Sequence, residues 1–215
     1  MININNPYQC CGCTACAFVC AQHAITMQPN ALGFKYPIVN LDICTNCGLC
    51  ETVCAFKEHY DLTDIEEPLF FAARLKDLEA LKHSQSGGAF MAIAEKIIQN
   101  GGVVYGVGSG EHFKVEHQRA TTIDECKLFR GSKYVQSDLG DTFRNIKKDL
   151  LDKKEVLFVG TPCQVAGLKS YISPKYRNQL LLVDLVCHGV PSPKVWDEYL
   201  SYTTDALTFA SKLKY

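Results

Sequence analysis

The sequence has no long run of apolar residues and no strongly basic segment. Its longest apolar stretch, over 180–186, is interrupted by Asp184 and is far shorter than the roughly 20 residues that cross a membrane as a helix. The formal net charge is only −1, without the basic stripe typical of nucleic-acid binding. The first residues lack the basic and apolar regions of a signal peptide. These absences predict a soluble, cytoplasmic protein with no membrane span and no nucleic-acid partner.

Cysteine, in contrast, is abundant, with 12 in a chain of 215 residues. In the reducing compartment expected for this chain, thiols stay available as ligands. Eight of them form two copies of the pattern C-x2-C-x2-C-x3-C, which is the ligand spacing of bacterial two-cluster ferredoxins. The two copies are offset by 34 residues, which indicates an internal duplication. They consist of Cys10, Cys13, Cys16 and Cys20, and of Cys44, Cys47, Cys50 and Cys54.

The spacing within each copy predicts how the ligands are shared. Three cysteines at i, i+3 and i+6 let a tight loop wrap one face of a cubane cluster, so the fourth ligand has to come from outside that loop. In two-cluster ferredoxins, the last cysteine of each copy ligates the other cluster. We therefore predict two 4Fe-4S clusters, one bound by Cys10, Cys13, Cys16 and Cys54 and the other by Cys44, Cys47, Cys50 and Cys20.

Other interpretations of these cysteines are weaker. Zinc favours two separated C-x2-C pairs that close one tetrahedron, so the third and fourth cysteines of each copy argue against it. A disulfide framework needs an oxidising compartment. Proline usually follows the fourth cysteine, whereas Ala21 and Ala55 stand there; proline ligates nothing, so cluster binding survives the change. Cys11 is extra to the pattern, and we interpret it as a thiol beside the loop.

The pattern divides the chain into a small module and a larger domain. Short strands over 24–27 and 35–39 predict a hairpin that shields a cluster from water. From residue 69, strands and helices alternate, which predicts a site at the strand ends. The run over 180–186 is the clearest buried strand. We predict an α+β two-cluster ferredoxin-like module (1–60), a linker (61–68) and an α/β domain (69–215) with strands over 69–73, 103–107, 113–120, 155–159 and 180–186, and helices over 77–83, 89–99, 124–129, 139–151 and from about 194.

Two segments of the α/β domain carry signals for an anionic cofactor. Ser86, Gly87 and Gly88 precede a helix and can present bare backbone amides to a phosphate, although a plainly capped helix explains them equally well. Lys133 can neutralise a phosphate or a reduced flavin, although exposed lysines are mostly solvated. The residues alone leave both alternatives open.

A turn between a strand and a helix consists of Thr161, Pro162, Cys163 and Gln164. Thr161 can cap the helix and Pro162 fits its first position, so the helix dipole is expected to lower the pKa of the Cys163 thiol. That thiol can act in redox chemistry, ligate a further cluster or pack against a flavin; it can also be a small apolar residue in a turn. Cys187 follows another strand and leaves the same alternatives. Cys126 has a helical context and is predicted to be structural.

Taken together, these motifs resemble one family, the beta subunit of coenzyme F(420) hydrogenases and dehydrogenases. The resemblance covers nearly the whole chain, and the stretches beyond the cysteine runs are specific in this order. They are Ser86-Gly87-Gly88-Ala89-Phe90, Arg130-Gly131-Ser132-Lys133-Tyr134-Val135-Gln136-Ser137, Gly160-Thr161-Pro162-Cys163-Gln164 and Asp184-Leu185-Val186-Cys187-His188-Gly189-Val190-Pro191-Ser192.

The resemblance implies a flavoprotein with FAD that passes electrons between iron–sulfur clusters and a substrate at the flavin. The acceptor is the deazaflavin coenzyme in archaeal members and a chlorophyll precursor in plant and cyanobacterial relatives. Members are much longer, which implies that the C-terminal portion is absent here. We expect an oxidoreductase with a ferredoxin-like donor or a larger complex as partner and a small-molecule acceptor. Cys163 and Lys133 are the catalytic candidates, and the flavin candidates are Ser86, Gly87, Gly88, Lys133, Thr161, Pro162, Cys163 and Gln164.

Two rival functions stay open at this point. In the first, a ferredoxin module is fused to a domain that only docks onto a larger redox complex and has no substrate of its own. In the second, Cys163 is a nucleophile and His188 its base, although the sequence supplies no third, orienting group.

Overall fold

The computed structural model describes residues 1–4, 6–57 and 67–203, with the backbone alone for His112 and Thr203. Most of the predicted linker, 61–66, lies outside these residues. No helix in the described part is long and apolar enough to cross a membrane. The helices and strands, in chain order, are α1 (Ala15–Val19), β1 (Ile25–Pro29), β2 (Lys35–Val39), α2 (Leu49–Thr52), α3 (Leu78–Lys82), α4 (Ala89–Gln99), β3 (Val103–Ser109), β4 (Val115–Ala120), α5 (Ile123–Lys127), α6 (Thr142–Leu151), β5 (Val156–Gly160), α7 (Pro162–Tyr171), β6 (Leu180–Asp184) and α8 (Pro193–Thr203).

The N-terminal module consists of a β-hairpin and two short helices. Strands β1 and β2 pair antiparallel, with Ile25 opposite Val39, so the predicted hairpin is confirmed. Asn30 orders its turn, because the side-chain oxygen accepts hydrogen bonds from the Leu32 and Phe34 amides at 2.9 and 3.1 Å. The hairpin lies between the two cysteine runs in sequence and therefore connects the two loops.

The larger domain is built on a four-stranded mixed sheet with the order β4-β3-β5-β6. Strands β3, β5 and β6 are parallel, and β4 runs antiparallel to β3. The strands predicted over 103–107, 113–120, 155–159 and 180–186 are confirmed, as are the predicted helices, with ends shifted by a few residues. Because parallel strands end at the same edge of a sheet, the residues after Ser109, Gly160 and Asp184 share one edge.

Two predictions about this domain are wrong. Residues 69–73 form no strand, and Leu69, Phe70 and Phe71 are 79, 88 and 85% exposed. The apolar composition of this run indicated burial, but the run pairs with no strand among the described residues. Strand β6 is also less buried than predicted, since it lies at the edge of the sheet and Leu181 is 43% exposed. Its sequence resembles that of a central strand although its position is peripheral.

The sheet separates two apolar clusters, because alternate side chains of a strand point to opposite faces. On one face, Val104 packs with residues of α4 and α5. On the other face, Val103 and Tyr105 pack with residues of α6 and α7. This second cluster also contains Ala15 and Val53 of the N-terminal module. The module and the α/β domain therefore share one continuous apolar core.

Candidate iron–sulfur and cofactor site

The two cysteine loops have the same backbone geometry. In the first loop, Gly12 and Thr14 have positive φ angles of 67° and 65°. At the same positions of the second loop, 34 residues later, Asn46 and Gly48 have φ angles of 53° and 79°. Each loop then enters a helix, α1 or α2, at the equivalent residue. The duplication indicated by the cysteine spacing therefore extends to the fold of the loops.

The first predicted set of ligands surrounds one cavity. Cys10, Cys13, Cys16 and Cys54 line it together with apolar residues that include Ile4. Burial raises the pKa of Cys16 to about 12, and the nearby thiols of the other three cysteines act in the same direction. Cys54 comes from the second run, as the predicted exchange of the fourth ligand requires. Cysteine sulfur is the donor that a 4Fe-4S cluster takes, but among the described residues no group of three or more ligating side chains is placed to hold a single metal ion.

The second predicted set is less enclosed. Cys50 is buried, and its sulfur accepts a hydrogen bond from the Ile2 amide at 3.1 Å. The sulfur of Cys20 accepts one from the Ala24 amide at 3.3 Å. Both cysteines belong to one apolar cluster around Ile2, whereas Cys44 is half-buried and Cys47 exposed. Amide hydrogen bonds to sulfur are typical of cluster ligands.

Helix α7 packs directly against the first cysteine loop. A Cβ atom at Gly167 would lie 2.9 Å from the Cys13 sulfur, so only glycine fits at this point of contact. One helical turn earlier, the Cys163 sulfur lies 3.2 Å from the Thr161 hydroxyl and neighbours the Cys11 thiol. The interactions with Cys11 and then Thr161 outweigh burial and lower the pKa of Cys163 to about 6.

Cys11 neighbours the start of α7, and its interpretation as a thiol beside the loop did not predict this contact. Its thiol neighbours those of both Cys13 and Cys163, and these two interactions raise the pKa of Cys11 well above its usual range. Cys11 therefore connects the first cysteine loop with the start of α7. No sequence signal indicated this contact, since it joins residues far apart in the chain.

A buried hydrogen-bond network supports the turn of residues 161–164. The Gln164 side chain accepts from the Thr161 amide at 3.1 Å and donates to the Ser137 hydroxyl at 3.0 Å. The Ser137 hydroxyl lies 3.0 Å from Nδ1 of His117, whose Nε2 lies 3.1 Å from the Val159 carbonyl oxygen. Sequence reasoning missed His117, although its place among the inward-facing positions of β4 was a possible signal.

Residues Ser86, Gly87 and Gly88 form a 3-10 turn with positive φ angles before α4. The space beside Gly87 is filled by the chain itself, since a Cβ there would lie 2.5 Å from the Ala73 carbonyl oxygen. The Leu75 amide also donates to the Gly87 oxygen at 2.8 Å. Close packing of residues 73–75 thus explains the glycines, and their part in cofactor binding stays a prediction.

Lys133 lies in a loop that contains a second cationic residue, Arg130. Its ammonium donates to the Arg130 carbonyl oxygen at 2.8 Å, and burial lowers the pKa of Lys133 to about 8. The Nε atom of Arg130 is buried and has no hydrogen-bond partner among the described residues. The Ser132 hydroxyl donates to the Gln85 side chain at 3.0 Å, which brings this loop to the residue before Ser86. A buried donor without a partner fits an anionic group.

The remaining cysteines lie in different surroundings. Cys126 is fully buried in the apolar cluster around Val104, in agreement with a structural role. Cys187 and His188 are exposed. Within the described residues, the Cys163 thiol is hydrogen-bonded to Thr161 and neighbours Cys11, and it makes no hydrogen bond with His188. The structure thus gives no support to a nucleophile and base formed by Cys163 and His188.

The fold and the cysteine loops define an iron–sulfur protein with an attached α/β domain. Residues 9–57 match the family model of the 4Fe-4S dicluster domain. Residues 70–143 and 153–208 match the N-terminal and C-terminal models of the coenzyme F(420) hydrogenase/dehydrogenase beta subunit. The chain belongs to this family, as the sequence motifs predicted.

The chain is also similar to two known proteins, one in sequence and one in fold. It is 24% identical to one of the subunits of the F(420)H(2) dehydrogenase of Methanosarcina mazei over 209 residues, an alignment that covers 89% of this chain and 58% of the relative. The chain thus spans little more than half of that relative's length. Its fold is similar to a chain of the F(420)-reducing NiFe hydrogenase complex from Methanosarcina barkeri, with a TM-score of 0.50, 21% identity, and coverage of 60% of this chain and 47% of that chain.

Proposed function

We propose that this protein is an iron–sulfur flavoprotein oxidoreductase subunit, with two 4Fe-4S clusters and FAD. A bound flavin supplies the exchange between single electrons, which clusters carry, and the hydride that a deazaflavin or another small acceptor takes. A ferredoxin-like donor or a larger complex is the proposed electron partner. In this proposal, residues 1–60 carry the clusters, residues 61–68 form the linker between the two parts, and residues 69–215 bind the flavin.

The observation that carries the proposal is the contact between α7 and the first cysteine loop. Gly167 packs on Cys13, and the Cys163 thiol neighbours the Cys11 thiol. The turn of residues 161–164 lies at the sheet edge where α/β domains bind their ligands. The contact therefore brings the edge at which a cofactor is expected against the loop expected to hold a cluster.

The side chains present fit the anionic part of FAD. Arg130 Nε is a buried donor without a partner among the described residues, and Lys133 supplies a second positive group. Both residues belong to the loop that Ser132 connects to Gln85, so this loop can bind a phosphate with the residues before α4 alongside. Cys163 can contact the part of the cofactor that faces the clusters, and the buried Gln164, which is bonded to Thr161 and Ser137, can hold the turn beside it.

A second function is favoured by the names of the two relatives, which are a dehydrogenase subunit and a hydrogenase complex. In that case this protein carries electrons within a larger assembly and has no substrate of its own. The cluster ligands are the same in both functions. The two differ in flavin content, because a pure electron carrier needs clusters alone.

The test is the iron, sulfide and flavin content of the complete gene product, purified without oxygen, with visible spectra before and after dithionite. About eight irons and one flavin per chain are expected. Arg130→Ala combined with Lys133→Ala should lower flavin content at least about tenfold and leave iron unchanged, whereas the exposed Lys153→Ala should change neither. About eight irons without flavin would contradict the flavoprotein proposal and support the electron carrier.

A further inference from the structure

In the hydrogen-bond network beneath the 161–164 turn, the donor and the acceptor of each bond can be assigned. The Val159 carbonyl oxygen can only accept, so Nε2 of His117 carries the proton and donates to it. Nδ1 is then the acceptor, and the Ser137 hydroxyl has to donate to it. The Ser137 oxygen is left to accept from the Gln164 amide group, whose own oxygen accepts from the Thr161 amide. Each donor therefore meets one acceptor from β5 to the start of α7.

His117 occupies a place where an apolar residue would pack as well. It is 8% exposed, and its ring stacks on Phe158 with centroids 4.9 Å apart. Burial lowers the pKa of His117 to about 4, so the ring is neutral. Burying a polar ring costs free energy unless it is hydrogen-bonded, and here both nitrogens are bonded. Packing alone does not require histidine at this position, but the network does.

The same network reaches the cysteine loop. Gln136, the residue before Ser137, donates a side-chain hydrogen bond to the Cys11 carbonyl oxygen at 3.0 Å. Gln136 therefore binds Cys11, and its neighbour Ser137 binds Gln164. These two partners lie on opposite sides of the contact between the first cysteine loop and α7, across which we propose electron transfer. A displacement of this loop would move both.

We propose that His117 is a positioning residue, which through Ser137 and Gln164 fixes the 161–164 turn against the first cysteine loop. The assignment of this turn to the flavin rests on the proposed function, whereas the positioning of the turn does not. His117 touches neither cofactor in this proposal. It affects electron transfer because it keeps Thr161 and Cys163 at fixed distances from Cys11.

Three variants separate hydrogen bonding from packing. His117→Phe keeps a ring over Phe158 and removes both hydrogen bonds, and His117→Gln retains one donor and one acceptor. Ser137→Ala breaks the network in the middle and carries the test if His117→Phe does not fold. Ser201→Ala is the matched control, because the bond that this exposed hydroxyl makes among the described residues stays within α8, to the Glu198 carbonyl oxygen at 2.8 Å.

The measurement is hydrogen exchange of the Thr161 amide in the complete protein, with flavin content read in parallel. We expect exchange at least about fivefold faster in His117→Phe and Ser137→Ala, with His117→Gln within about twofold of wild type and the control unchanged. Wild-type exchange in both disrupting variants, or a failure of well-folded His117→Gln to restore it, would overturn the proposal. Absence of flavin from the wild type would refute the proposed function and leave the exchange result valid.

Discussion

Asp149 is the centre of a buried ionic group in the α/β domain. Its side chain is 7% exposed and accepts hydrogen bonds from Tyr105 at 2.7 Å, from Arg119 at 2.8 and 3.0 Å, and from Lys154 at 2.9 Å. Burial alone would raise the pKa of Asp149, but these donors outweigh it and hold the pKa at about 2. The group joins β3, β4 and α6, so it stabilises one face of the sheet.

We expect Asp149→Asn to lower the free energy of unfolding by about 2 kcal/mol, because it removes the counter-charge of the partly exposed Arg119 and Lys154 and weakens their charge-assisted hydrogen bonds. The carboxylate ionises with a pKa of about 2 in the fold and about 3.8 when unfolded. Its contribution is therefore complete above about pH 4 and is lost as the pH falls towards 2. Urea unfolding at several pH values checks this, with Asp152→Asn, an exposed change at the end of α6, as the control. Equal stabilities at neutral pH would contradict it.

At the residue scale, the sequence predicted the groups whose role depends on local spacing. Cysteines at i, i+3 and i+6 indicate a cluster loop wherever they occur. His117 and Asp149 could not be found in this way, because their partners, apart from Lys154, lie 20 to 44 residues away in the chain. Such a role exists only after β3, β4 and α6 have come together.

Among the elements, the two cysteine loops exchange their fourth ligand if the predicted pairing is right. The described cavity already joins Cys54 to the first loop. We expect Cys16→Ser and Cys54→Ser to remove the same cluster, and Cys47→Ser and Cys20→Ser to remove the other.

Electron paramagnetic resonance of the reduced protein, with iron content, identifies which cluster is lost. Each single variant should retain about half of the iron, and Cys126→Ala, in the other apolar cluster, should retain all of it. If Cys54→Ser and Cys50→Ser gave the same spectrum while Cys16→Ser gave a different one, the exchanged pairing would be wrong.

Elements with strong local signals were predicted well, and peripheral ones were not. The turn signals around Asn30 gave the hairpin, and proline at the first helical position gave the start of α7. Apolar content misled at residues 69–73 and at β6, because it indicates burial without showing which neighbours provide it. Sheet order depends on long-range pairing and cannot be read from either segment.

For the molecule as a whole, the decisive feature is the core shared by the cysteine module and the α/β domain. Phe143 of α6 lies 5.1 Å from Phe18 of the module, measured between ring centroids, and 6.1 Å from Phe158 of β5. Phe143 is completely buried. Loss of either part would expose this side chain, so we expect the two parts to unfold together.

Phe143→Ala should lower the free energy of unfolding by about 3–5 kcal/mol. The melting curves from far-UV circular dichroism and from the visible absorbance of the clusters should shift by the same amount, since both parts lose the same contacts. Phe70→Ala, at a side chain that is 88% exposed, is the control and should shift neither curve. A shift of the circular dichroism curve alone would show that the cysteine module is stable by itself.

The left-handed residues of the cysteine loops bear on how this protein matures. In each loop only one of the two such positions is glycine, and the other is Thr14 or Asn46, at φ angles of 65° and 53°. A threonine held there costs on the order of 1–3 kcal/mol. Iron binding by the closed loops has to supply that free energy, because the free energy of metal binding contributes to the free energy of folding. We expect iron supply during synthesis to limit the yield of folded protein, so that iron-starved cells accumulate a chain whose loops have relaxed.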